Sequence, residues 1–184
     1  MLKIVQAPNS TLSAPAKPIS KLDKDVKKLI DEMTDSLISA RDPEGVGLAA
    51  PQVGKSLQLF IVKESKKSPL LIFMNPELSI SDDQKLDTNG DKEDDKEVKL
   101  EGCLSLQDIW GIVHRYPEVT LTYHDENWEK HTKTFDGFMA TIIQHEYDHL
   151  QGVLFPRRVL EQKGQLYKSV KNKKGEIEFE ELKV

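Results

Sequence analysis

His145, Glu146 and His149 form a His-Glu-x-x-His pattern, and in a helix two residues four apart stand one turn above each other on the same face. Both imidazoles then reach a single divalent ion. Glu146 sits about 100° round the helix from His145, beside such an ion rather than on it, where a carboxylate takes a proton from an acidified water. The plainer alternative is a surface helix whose histidines merely fall four apart. Against it, Ile142, Ile143 and Leu150 bracket the motif and turn the histidine face inward, where two unpaired imidazoles are costly to bury. A bound metal removes that cost.

A hydrolytic metal centre needs a third protein ligand and an open coordination position. In the extended form of the motif a histidine follows six residues after the second one; here Gly152 is present on the way, but the sixth position is Phe155. A glutamate ligand from a following helix is not expected either, because the stretch from Arg157 to Gly175 is basic and interrupted by glycine. The third ligand is therefore sought upstream, and the best candidate is Cys103 in Glu101-Gly102-Cys103-Leu104-Ser105. A thiolate binds Fe²⁺ or Zn²⁺ strongly, and Gly102 permits close backbone approach. Taken alone, a solitary cysteine is more often a small buried core residue, and a single cysteine forms no intramolecular disulfide.

These residues need elements to hold them. Phe138, Ile142, His145 and His149 share one face of a helix opened by Asp136-Gly137 and stopped at Gly152. Val26, Leu29, Ile30, Met33, Leu37 and Ile38 give residues 24–41 the apolar stripe of a second helix, with Asp23 as its N-cap. Residues 57–63 and 70–74 read as strands, ended by Asn75-Pro76, and Val119, Leu121 and Tyr123 alternate with polar neighbours in an antiparallel unit that returns through Thr132 to Phe135. The turn between them is Asp125-Glu126-Asn127. Residues 42–54 are too punctuated by Gly and Pro for a helix and too apolar for a solvated linker, so they read as a packed loop. There are no repeats. The expected fold is α+β, with short antiparallel strands around a central HExxH-bearing helix in a single domain spanning 1–184.

With 184 residues, 38% of them hydrophobic, the chain is sized for one core. A net charge of −5 argues against a nucleic-acid coat, and DNA is not an expected partner. Neither an apolar leader nor a window approaching the ~18 apolar residues of a membrane span is present, so the expectation is a soluble, cytoplasmic monomer. Residues 81–99 are almost wholly polar or charged and fit no calcium-loop pattern, which predicts a charged surface loop. The segment from Arg157 to Lys174 carries seven Lys or Arg. It reads as a solvated basic tail, with transient contact to ribosomal phosphates as the alternative, and residues 176–180 alternate like a strand.

Three stretches, Gly45-Val46-Gly47-Leu48-Ala49-Ala50-Pro51-Gln52, Glu101-Gly102-Cys103-Leu104-Ser105 and Gln144-His145-Glu146-Tyr147-Asp148-His149-Leu150, together resemble the peptide deformylase family in order and spacing. The resemblance runs from Ile4 and Pro18-Ile19 to about Phe155. It implies removal of the formyl group from the N-terminal formyl-methionine of nascent polypeptides, releasing formate, with Fe²⁺ in the cell and Zn²⁺, Ni²⁺ or Co²⁺ as replacements. Residue by residue it implies that Cys103, His145 and His149 bind the metal, that Glu146 shuttles the proton, and that the Gln52 amide and Leu104 N–H meet charge developing on oxygen. Val46, Gly47, Gly102, Phe138 and Ile142 become candidates for gripping the substrate, with core packing nearly as good an account of the apolar ones. Glu101 and Arg115 would pair to brace the ligand loop. An inactive, deformylase-like module binding peptides or ribosomes is the competing reading, and retention of Glu146 speaks against it.

The chain departs from the family in places. Many members have a proline where Gln107 stands and an arginine at the position of Trp110. The acidic insert before the cysteine is longer than usual, and the tail reads as a strand instead of the helix some members use at the ribosome. None of this touches a ligand; the shape of the cleft beyond methionine is what changes.

Overall fold

Asp23 starts the first helix as expected, its carboxylate accepting the N–H groups of Asp25 and Val26 at 3.1 Å, which satisfies donors that a helix N-terminus otherwise leaves unpaired. The structure, a computed structural model, describes residues 1–41, 44–87 and 100–183. In it α1 spans Lys24–Ser39, α2 Gly137–Leu150 and α3 Phe155–Glu161. The strands are β1 Gly47–Ala49, β2 Leu59–Val62, β3 Leu71–Ser79, β4 Glu101–Cys103, β5 Leu106–Gly111, β6 Glu118–His124, β7 Lys130–Asp136, β8 Leu166–Lys171 and β9 Ile177–Glu181. They form two antiparallel sheets, ordered β1-β2-β3-β6-β7 and β4-β5-β8-β9. The α+β expectation holds.

The five-stranded sheet is sandwiched between α1 and α2, which explains why β2 is apolar at every position. Leu59 and Ile61 join Leu29, Ile30, Met33 and Leu37 of α1, while Phe60 and Val62 join Ala140, Ile142 and Ile143 of α2. Ile38 does not complete the α1 stripe. It is 52% exposed, and buried Ser36 stands on the inner side instead, donating to the Leu2 carbonyl and accepting its N–H. The β6–β7 hairpin shows the predicted alternation, with Val119, Leu121 and Tyr123 inward and Thr120–Thr134 and Thr122–Thr132 pairs on the other face.

Three local readings are corrected. Asn75-Pro76 does not end the strand: β3 continues to Ser79 through a register shift between Met74 and Glu77. The irregularity accommodates a proline that has no N–H to offer, and the Asn75 side chain compensates by bonding both the N–H and the carbonyl of Ile19 at 2.7 Å. The packed segment after Gly45 is not plain loop but β1 followed by a 3-10 turn, Ala50–Val53, all of it buried. The basic stretch after Phe155 does begin with a helix, α3, although Glu161 pairs with Arg157 and Arg158 there and supplies no ligand. Residues 176–181 form β9 as read. Of the charged loop, residues 81–87 are exposed except Gln84, and its remainder, 88–99, lies outside the described residues.

Candidate active site

The cleft, about 990 Å³, opens between β1, an edge of one sheet, and β4, an edge of the other, with α2 as its floor. Gly45, Val46, Gly47 and Gln52 line one side, Gly102, Cys103, Leu104 and Arg115 the other, and Phe138, Ile142, His145 and Glu146 the floor. Every predicted site residue except His149 lines the cleft directly. His149 lies beneath it, 1% exposed. Phe138 is the least enclosed of the apolar group, at 49% exposed, whereas Ile142 is buried.

Cys103 is the last residue of β4, just before the two-residue turn Leu104-Ser105 that leads into β5. That turn aims Sγ into the cleft floor, 3.3 Å from His149 Nε2. The ligand atoms of Cys103, His145 and His149 all lie within 4.8 Å of one another. Sulfur and nitrogen bound to one tetrahedral ion are separated by about 3.4–3.6 Å, so this trio fits a single divalent metal. The protonation chemistry agrees for His149, since burial holds its imidazole well below its usual pKa and hence neutral, as a ligand must be. His145 differs: burial works to lower its pKa, but the Glu101 carboxylate and the Cys103 sulfur outweigh it and raise it. Its Nδ1 lies 2.6 Å from Glu101 Oε1, and donation from Nδ1 to that carboxylate leaves Nε2 as the atom turned to a metal.

Glu101 is held in turn. Arg115 grips it with two bonds, Nη2 to Oε1 at 2.7 Å and Nε to Oε2 at 3.1 Å. Burial alone would push the Glu101 carboxyl up, yet Arg115 and His145 bring it down to about 2. Arg115 also donates to Asp148 at 2.7 Å, and Asp148 accepts from Arg158 of α3 at 2.6 Å. The Glu101–Arg115 pair is the one that the family resemblance implied. Asp148 is buried and joins the network, while Arg158, hidden in the basic stretch, was missed for want of any local pattern. Glu101→Ala removes one of the two carboxylates that hold the buried Arg115 guanidinium and frees the His145 ring. We expect a stability loss of about 3–5 kcal/mol and a metal affinity weaker by about 10–100-fold, read from melting curves and from competition with a chelator. Unchanged affinity would remove Glu101 from the site.

Glu146 is enclosed under β1. Burial pushes its carboxyl up to about 7, against the pull of His145, and its Oε2 has no hydrogen-bond partner among the described residues. Burying such a group unpaired costs stability, and in native structures it often marks a catalytic role. Room for it depends on Gly47, because a Cβ there would come within 2.8 Å of the Glu146 carboxyl carbon. Gly47, named above as a candidate for gripping the substrate, leaves the space that the Glu146 carboxyl occupies. Gln52 is 1% exposed and fixed in orientation: its Oε1 accepts from the Ala49 N–H at 2.8 Å, so its amide nitrogen faces Cys103 Sγ at 3.5 Å and the cleft. Phe155, where a third histidine would stand in the extended motif, instead stacks on the His145 ring at 6.3 Å. Gln144 was also missed. It clamps Tyr116 through both backbone groups, tying α2 to the segment that carries Arg115.

Comparison with known proteins agrees with this geometry. The polypeptide deformylase family model matches residues 1–165. A peptide deformylase of Christiangramia forsetii is 36% identical, over 98% of this chain and 93% of its own length. One from Chlorobium luteolum is 38% identical over 82% and 74%. The crystal structure of peptide deformylase from Thermotoga maritima superimposes with a TM-score of 0.72 at 31% identity, covering 86% of this chain and 97% of the other. Motif order, cleft and relatives converge, and the chain belongs to the polypeptide deformylase family.

Proposed function

We propose that this chain, as a single catalytic domain, hydrolyses the formyl amide of N-terminal formyl-methionine on nascent polypeptides and releases formate. The observation that carries the reading is the buried, unpartnered Glu146 carboxyl beside three converging ligand atoms. Cys103, His145 and His149 would hold one divalent ion. When bound, that ion supplies Lewis acidity, making a water acidic enough to lose its proton near neutral pH. Glu146 accepts the proton as the water oxygen bonds to the formyl carbon, and returns it to the nitrogen as the C–N bond breaks. The Gln52 amide and the Leu104 N–H would stabilise negative charge on the formyl oxygen. Ile142, Val46 and Phe138 receive the methionine side chain, and the backbone of residues 45–48 pairs with the extended peptide.

One thiolate with two imidazoles accepts Fe²⁺, Zn²⁺, Ni²⁺ or Co²⁺. We assign Fe²⁺ in the cell, to be checked by metal analysis after anaerobic purification. The deciding assay is formate release from a formyl-Met peptide without cleavage of its internal bonds; internal cleavage, or no formate, defeats the reading. A further expectation concerns Gly47: Gly47→Ala pushes Glu146 aside, lowering kcat by about 10²-fold while metal content stays full.

The setting we infer is cytoplasmic and monomeric. No helix of the described residues is long and apolar enough to cross a membrane. For the basic tail we favour a solvated surface over ribosome contact, because β9 sets Glu180 directly across from Lys168 and Glu178 across from Val170, between Lys168 and Lys171. Cosedimentation with ribosomes that weakens when Lys168, Lys171, Lys173 and Lys174 are replaced would reverse that preference.

A further inference from the structure

The exposed face of the four-stranded sheet carries a row of residues that the reaction does not use. Register places Gly102 of β4 opposite Trp110 of β5, Trp110 opposite Tyr167 of β8, and Ser169, two residues on, opposite Phe179 of β9. Directly paired residues, and those two apart, share a face. The Trp110 indole leans toward the cleft: its Cζ3, Cε3 and Cη2 atoms stand 2.7–3.1 Å from where a Cβ of residue 102 would be. Gly102 leaves this space open, and the ring crosses the strand spacing of about 4.8 Å to lie over β4. Behind it, Phe179 meets the indole edge-on, with centroids 5.9 Å apart and planes at 81°. Phe179 remains 46% exposed. It lies beyond residue 165, where the family match ends.

Among the described residues β4 pairs only with β5, so its other edge faces the cleft, and both Gly102 and Trp110 line that cleft. A peptide strand laid along this edge points every second side chain to the face on which Trp110 sits. We infer that Trp110, propped by Phe179 of the C-terminal hairpin, is an aromatic platform that selects an aromatic or large apolar side chain just downstream of the formyl-methionine. The inference rests on the deformylase reading and adds a specificity element to it. An indole face rewards a stacked ring beyond simple burial of area, whereas a carboxylate there gives up water for no partner.

The test compares kcat/KM on formyl-Met-Xaa-Ser and formyl-Met-Ser-Xaa with Xaa as Phe, Ser, Glu or Lys, using the metal-loaded full chain. At one of the two positions Phe is expected to exceed Glu by about tenfold. Trp110→Ala should bring that ratio close to one. Trp110→Phe should restore most of it, and Phe179→Ala should reduce it through KM with kcat kept. The chain has two tryptophans, so a Trp128→Phe enzyme reports on Trp110 alone, and its emission should shift with the product Met-Phe-Ser or Met-Ser-Phe more than with the Glu analogues. This arm holds even where Trp110→Ala does not fold. A flat ratio in the unaltered enzyme, a ratio untouched by Trp110→Ala, or a preference for Lys over Phe overturns the platform. Formyl-Met-Ser-Ser separates the two readings: turnover of it with a flat ratio removes the platform alone, and no turnover removes the deformylase reading with it.

Discussion

Glu146→Ala keeps its metal and loses formate release by about 10²–10⁴-fold, the range expected when a positioned acid–base group is removed. None of the three candidate ligands is touched, and the Glu101–Arg115–Asp148 network that orients His145 remains. What disappears is a carboxyl whose pKa burial has pushed up to about 7. A group balanced there takes a proton and gives it back at working pH with little bias either way. The same features make an unusual stability prediction. Oε2 is buried without a partner, so removing the side chain relieves a desolvation cost while opening a small space beneath Gly47. Melting temperature should stay level or rise, as is common where a site is built at the expense of stability. Glu146→Gln, which keeps the volume, isolates the proton function: it should match the alanine variant in activity while filling the same space. Metal lost in parallel with activity would mean that Glu146 serves the ion, and the proposed shuttle would fall.

How much of this was readable from the chain depends on whether a residue's partner is local. The helix spacing of His145, Glu146 and His149 is set by the backbone, so the shared face of the two histidines and the offset of Glu146 followed from residue numbers alone. Cys103 needed an argument by exclusion and a family pattern, because nothing near it in sequence says that its Sγ meets a histidine 46 residues away. Gly47 was named as a candidate for gripping the substrate; its closeness to Glu146 joins β1 to α2 across 99 residues and leaves no local trace. The same holds for Arg158, whose partner Asp148 lies on another helix. Asn75-Pro76 shows the opposite error. A strong local break signal was overridden by a side-chain clasp on Ile19, 56 residues distant. Alternation and helical stripes were legible; the contacts that turn them into a site were not, because packing chooses those.

Cys103→Ala should cost the site its metal. The Cys103 sulfur is where three groups converge: His149 Nε2 at 3.3 Å, the Ser105 N–H at 3.4 Å and the Gln52 amide at 3.5 Å. Two of these are N–H donors aimed at the sulfur, and together with His149 they fix where Sγ stands relative to the two histidines. Without it, two imidazoles remain, one of them neutral and the other held by Glu101, and two ligands are too few for a stable tetrahedral site. We expect metal affinity to fall by more than the ~10–100-fold typical of losing a supporting residue, with formate release falling alongside it. Melting curves separate loss of metal from loss of fold. A ligand that binds only the folded chain raises stability by RT ln(1 + [L]/Kd), so added Fe²⁺ or Zn²⁺ should lift the melting temperature of the natural chain and leave that of Cys103→Ala unmoved. The two metal-free proteins should melt close together, since the substitution removes one buried sulfur and little else. If Cys103→Ala instead gains the same thermal stabilisation from metal as the natural chain, the third ligand is another residue, and the fit between these three donors and one ion is coincidental.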